Sequence, residues 1–119
     1  MCAFGPTNVD IWRMSVAIEL GEYGETLTLA KRITPGSLRV ANRHQSYWLS
    51  LGRALAHSGK TDGEALSALM RAERAAPFAF SVNPAVHDSV VSMVHRAYRK
   101  SVSKDLRVLA RRLGVEVPA

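Results

Sequence analysis

Cysteine is almost absent: the 119 residues hold one, Cys2, at the edge of the chain. A lone thiol forms no internal disulfide, so the fold must rest on its core, and a reducing, cytoplasmic setting is the expectation. Long apolar runs are missing as well. No stretch approaches the roughly 18 uninterrupted apolar residues of a membrane span, and 1–8 lacks the basic region and apolar run of a secretory signal. Strand-like alternation is not found. There is no nucleophile elbow, no phosphate-cradling glycine loop and no pair of carboxylates on one face, so no catalytic role is expected. The four histidines are His44, His57, His87 and His95. None has a cysteine at ligand spacing, and His87 and His95 fall two helical turns apart, so neither a metal nor another cofactor is expected.

What is present is a globular composition. Hydrophobic residues make up 47% and charged residues 22% of the chain, and the apolar residues are spread throughout, which argues against disorder. The length suits one domain, expected to bury roughly two-thirds of its unfolded surface. The formal net charge of +6 has an address. Arg96, Arg99, Lys100, Lys104, Arg107, Arg111 and Arg112 face only Asp105, while the rest of the chain is balanced. Such an end can meet nucleic acid or an acidic partner, or be the solvated face of an arginine-rich helix. The solvated face is the preferred reading.

Apolar spacing is helical nearly throughout. A first helix is expected to open at Thr7 or Asn8 as cap, after Gly5-Pro6. On it Val9, Trp12, Val16 and Leu20 form one row, and Ile11, Met14 and Ile18 a neighbouring one. This breadth implies burial against more than one neighbour. Gly21–Gly24 reads as a turn, 25–33 as a second helix stopped by Thr34-Pro35-Gly36, and 38–58 as a third and longest helix. A fourth runs over 63–76 and ends before Pro77. The segment 78–84 reads as an unusually apolar loop. A fifth helix over 84–100 carries Val86, Val90, Val94 and Tyr98 on one stripe. A sixth over 103–113 turns Leu106, Leu109 and Leu113 inward and Arg107, Arg111 and Arg112 outward, with Gly114 as its stop. The expectation is an all-α chain of about six helices in antiparallel pairs, stacked as an α-solenoid.

Trp48, Leu51, Gly52 and Leu55 spell W-x-x-L-G-x-x-L, and Ala65, Leu69, Ala72 and Pro77 continue as A-x-x-x-L-x-x-A-x-x-x-x-P. This resembles the tetratricopeptide repeat, best matched over 45–77, in which small residues sit where two helices approach and large ones fill beside them. Gly52 to Ala65 is one residue longer than usual, which places an insertion in the Ser58–Gly63 turn. The outer pairs match weakly, as capped ends of a repeat array do. A more particular likeness lies in Ala3-Phe4-Gly5-Pro6-Thr7-Asn8-Val9, Val16–Gly21, Ala72–Pro77 and the Leu106–Gly114 tail. Together these are similar to the C-terminal tetratricopeptide-like region of actinobacterial Xre-family helix-turn-helix regulators. In such regulators an N-terminal domain binds DNA and the helical region senses or dimerises. This sequence starts at Met1, directly before the motif, and no residues match the DNA-binding domain. The tail from Asp105 reads like the first helix and turn of a helix-turn-helix, but Ala119 leaves no room for a recognition helix.

The resemblance implies an effector module of a transcriptional regulator, taking a small molecule or a partner peptide in a helical groove, or pairing with itself. A free-standing protein–protein adaptor is the alternative. By repeat geometry the groove should present Ser46, Leu49, Arg53 and His57, with Arg13, Trp12 and Glu19 as neighbours, and Arg53 offers a planar fork to a carboxylate or phosphate. Trp48 is expected in the core. Arg99, Lys100, Lys104, Arg107, Arg111 and Arg112 are the candidates for contact with nucleic acid or an acidic partner. No membrane partner is expected.

Overall fold

Two helix starts follow from side-chain capping. Asn83 Oδ1 accepts the Ala85 N–H at 2.9 Å just ahead of Pro84, a residue whose missing N–H and fixed φ suit the first helical position. Ser103 Oγ accepts the Leu106 N–H at 3.2 Å, and Asp105 sits in the first turn of the helix that follows, where the helix dipole favours an acid. The computed structural model describes residues 6–38, 40–97 and 102–117. Over these it has seven α-helices and no strand: α1 (Pro6–Glu19), α2 (Tyr23–Ala30), α3 (Ala41–Ser58), α4 (Asp62–Ala75), α5 (Pro77–Ser81), α6 (Pro84–Ala97) and α7 (Lys104–Arg112), with a 3-10 turn at Pro35–Ser37. No helix is long and apolar enough to cross a membrane.

Three expectations about the elements need correction. α1 includes Pro6, so Thr7 and Asn8 lie inside its first turn and not ahead of it. α2 starts at Tyr23, drawing Gly24 from the expected turn into the helix. The apolar loop after Pro77 is helix α5, which raises the helix number to seven. Its apolar residues divide, Phe80 being fully buried and Phe78 79% exposed, and Val82 just after it is 59% exposed.

Two hydrophobic cores flank α3. The smaller joins Ile11 and Met14 of α1, Leu29 and Ala30 of α2, Ile33, Leu38 and Tyr47. The larger joins Ala56, Ala65, Leu69 and Ala72 with Phe80, the Val86/Val90/Met93/Val94 stripe of α6, Leu106 and Leu109 of α7, and Leu113 just after it. Trp48 is half-buried and packs against both. Its ring meets Tyr47 edge-on at 4.9 Å between centroids, and the Arg71 guanidinium lies 4.7 Å above it. The body measures 54 × 27 × 22 Å.

The α3–α4 pairing rests on Gly52. A Cβ there would lie 2.8 Å from Leu69 Cγ and Cδ2 and 3.2 Å from the Leu69 backbone N, so no larger residue permits this approach. The longer turn between the two helices is built from side chains. Thr61 Oγ1 donates to Leu55 O at 2.7 Å and shares a hydrogen bond with Ser58 Oγ at 3.0 Å. Gly59 supplies the left-handed step, φ +75°, that lets α3 end.

Candidate functional site

Arg53 and His57 are one helical turn apart on α3 and both reach toward the N-terminal pair. Arg53 Nη1 donates to Glu19 Oε1 at 2.7 Å; the Arg53 side chain is 18% exposed and that of Glu19 70%. His57 stacks on Tyr23, centroids 3.6 Å apart and ring planes 9° apart. From α6, Ala85, Asp88, Ser89, Ser92 and Arg96 line the same space at a spacing that gathers them on one helical face, beside the buried valine stripe. With Tyr23, Arg53, Ala56 and His57 they enclose a cleft of about 260 Å³.

Its electrostatics follow from which charges are already paired. Arg96 Nε and Nη2 donate to Asp62 Oδ2 and Oδ1 at 2.9 and 2.8 Å, and Nη2 also to Ala56 O. This fork ties α6 to the first residue of α4 and to the C-terminal part of α3. Arg53 is matched by Glu19. Asp88 has no hydrogen-bond or ion-pair partner among the described residues. With the arginines matched to their acids, Asp88 stands as a solvent-exposed carboxylate among the lining residues, and the Ser89 and Ser92 hydroxyls stand on its helix.

No protein family, curated protein or solved structure matches the chain. The cleft is therefore read from its own chemistry.

The structure brings together two of the five residues expected in the groove, Arg53 and His57. Ser46 does not line the cleft, its Oγ lying 2.9 Å from Ser15 Oγ. Leu49 packs against the larger core, and Arg13 is exposed on α1 and does not line the cleft. Glu19 meets the site only through its ion pair with Arg53 and does not line the cleft. Tyr23, Asp88, Ser89 and Ser92 were not anticipated as site residues. The signal for them was present, since 85, 88, 89, 92 and 96 repeat at helical spacing with small or polar side chains.

The basic end divides in the same way. Arg112 Nε and Nη2 donate to the two Glu73 carboxylate oxygens at 2.9 and 2.6 Å, which raises the guanidinium pKa above its ordinary value through the hydrogen bond. Lys104, Arg107 and Arg111 are exposed on α7. Arg99 and Lys100 lie outside the described residues, as do Cys2, Tyr98 and the Ala3–Gly5 part of the N-terminal motif. Among the described residues no three His, Cys, Asp or Glu side chains gather as a metal-ligand set. A second hollow of about 540 Å³ lies between α6 and the segment after α7, walled largely by Val91, Val94, Val115 and Val117.

The first-helix row did not bury as expected. Ile11, Met14 and Ile18 are in the interior, but Trp12 and Leu20 are 66% and 67% exposed and Val16 is at the surface beside them.

Proposed function

We propose that this chain is a non-enzymatic sensing or oligomerisation module whose helices stack as tetratricopeptide-like pairs, α1 with α2, α3 with α4 and α6 with α7. In this reading it corresponds to the effector region of an Xre-type transcriptional regulator and takes a small molecule or short peptide between α3 and α6. The observation that carries the reading is the cleft. It gathers two arginines, an unpaired carboxylate, two hydroxyls and a stacked aromatic pair in one concavity, the combination of shape and few converging polar groups that marks ligand sites. The close Gly52–Leu69 approach supports the repeat-like pairing.

A thermal-shift panel of metabolites and short peptides tests it. A ligand at about a hundredfold excess over its Kd should raise Tm by on the order of 10 °C, and Ser92→Trp, which fills the cleft, should remove the shift. No shift with any compound or peptide would count against the reading. The second reading, a protein–protein adaptor, is favoured by the exposed row Trp12, Val16 and Leu20, since contiguous apolar surface marks contact sites.

A further inference from the structure

We infer that the outer face of α7 docks on the phosphate backbone of duplex nucleic acid through Lys104, Arg107 and Arg111, without reading base sequence. No residue of this face lines the cleft between α3 and α6. The cations that the fold has already used are Arg32, Arg53, Arg96 and Arg112, each of which reaches an acid on another element. Lys104, Arg107 and Arg111 are exposed, and among the described residues none of them has a hydrogen-bond or ion-pair partner. At about 100° per residue the three fall within roughly 60° of one another around α7, and the helical rise strings them over about 10 Å. Asp105 is the one acid of the helix and stands on its α4 flank, where it shares a hollow with Leu66, Met70 and Arg74. The inner side belongs to the fold, with Leu106, Leu109 and Ala110 buried in the larger core.

Among polyanions a nucleic acid matches this face best. A duplex carries one negative charge per about 1.7 Å of its axis, so a row of cations roughly 10 Å long finds phosphates at any register. An acidic protein presents discrete carboxylates, and a stable contact with one centres on apolar or aromatic side chains. The outer face of α7 offers only Val108 for that purpose, 38% exposed. An anionic lipid surface holds an amphipathic helix by taking its apolar side into the headgroup boundary, and that side of α7 is already in the core. Long-range charge agrees. The isoelectric point is about 10.1 and the formal net charge +6, and a row of Lys and Arg along one helix face is the electrostatic footprint of backbone binding. Such contacts position a protein on the duplex and carry no sequence information.

Fluorescence anisotropy of a labelled duplex DNA of mixed sequence, titrated with the full chain, tests this. Each phosphate neutralised adds about 0.9 to the slope of log Kd against log salt. Three contacts should give a slope of about 2.7 or steeper, and an affinity that falls at least about 40-fold between about 50 and 200 mM salt. A duplex of unrelated sequence should bind within about threefold of the first. Arg107→Gln, Arg111→Gln should lower the slope by about 1.8. Both side chains are exposed and unpartnered, so the Tm should stay within about 2 °C of the parent. Arg107→Lys, Arg111→Lys keeps the charge and should bind within about threefold of the parent. Arg13→Gln, Lys31→Gln removes as much charge at exposed positions beside the smaller core and should retain the parent's slope. The inference is overturned if the duplex does not bind at the lower salt, if R107Q/R111Q binds as the parent does, or if R13Q/K31Q loses as much. It is overturned too if polyglutamate, or vesicles of equal parts phosphatidylcholine and phosphatidylserine, bind more tightly than the duplex, since the face would then belong to an acidic protein or to a lipid surface.

Discussion

Tyr47 carries its hydroxyl into the smaller core, where it donates to Ala30 O at 3.3 Å and the residue is 5% exposed. Burial there penalises the phenolate and raises the pKa above the ordinary 10.0. The folded chain thus keeps a proton that the unfolded chain begins to release near pH 10. Between that pH and the raised folded value the unfolded state binds fewer protons, so stability falls as pH rises. Chemical denaturation between pH 8 and 11 should show this loss in the parent. In Tyr47→Phe the alkaline slope should be shallower, although the variant forfeits about 1 kcal/mol at neutral pH with the hydrogen bond. Equal slopes in the two proteins would mean that Tyr47 ionises as freely in the fold as outside it.

At the scale of elements the α3–α4 hairpin is the best determined part of the molecule, because its register depends on backbone proximity. Gly52→Ala should destabilise by about 1–3 kcal/mol, the usual cost of forcing a methyl into a filled core, since Leu69 is fully buried and its backbone N stands 3.2 Å from the new Cβ. Urea unfolding measures this, and an unchanged midpoint would show that the helices separate freely there. The same hairpin was the most legible feature of the sequence, since Gly52, Ala65, Leu69, Ala72 and Pro77 have the spacings expected of a close helix pair. Helix α5 was not legible. Pro77 and Pro84 bracket barely more than a turn, too short for periodicity to register, and tertiary burial of Phe80 decides its conformation. In α1 the sequence offered two apolar rows and no means of choosing between them. The choice came from α2 and α3, which cover Ile11 and Met14 and leave Trp12 bare. The site was half legible for a related reason: Arg53 and His57 follow from repeat geometry, but Asp88, Ser89 and Ser92 read as the polar side of an amphipathic helix, and Asp88 and Ser92 do remain exposed.

Across the whole molecule, charge is distributed as internal fastening as much as display. Arg32, Arg53, Arg96 and Arg112 each reach an acid on another element, at 2.6 to 3.6 Å. The basic end therefore presents fewer free cations than its composition suggests, with Lys104, Arg107 and Arg111 standing exposed on α7. The apolar surface is the opposite case. Trp12 and Leu20 stand exposed among the described residues, and if they serve self-association, sedimentation should show concentration-dependent dimers that the Trp12→Ser, Leu20→Ser double variant loses while its Tm stays within about 2 °C of the parent. A monomer at all concentrations would remove self-association from the adaptor reading.

The two cores meet along α3, and the cleft draws one wall from each side of that boundary: Tyr23 from the helices around the smaller core, and the polar face of α6 from the larger. A molecule lodged there acts as a strut between the two halves. In the proposed sensing role, its occupancy would bear on the angle between the N-terminal helix pair and the rest of the body, and a few hundred cubic ångströms would be read at a distance as a change of posture and not of chemistry.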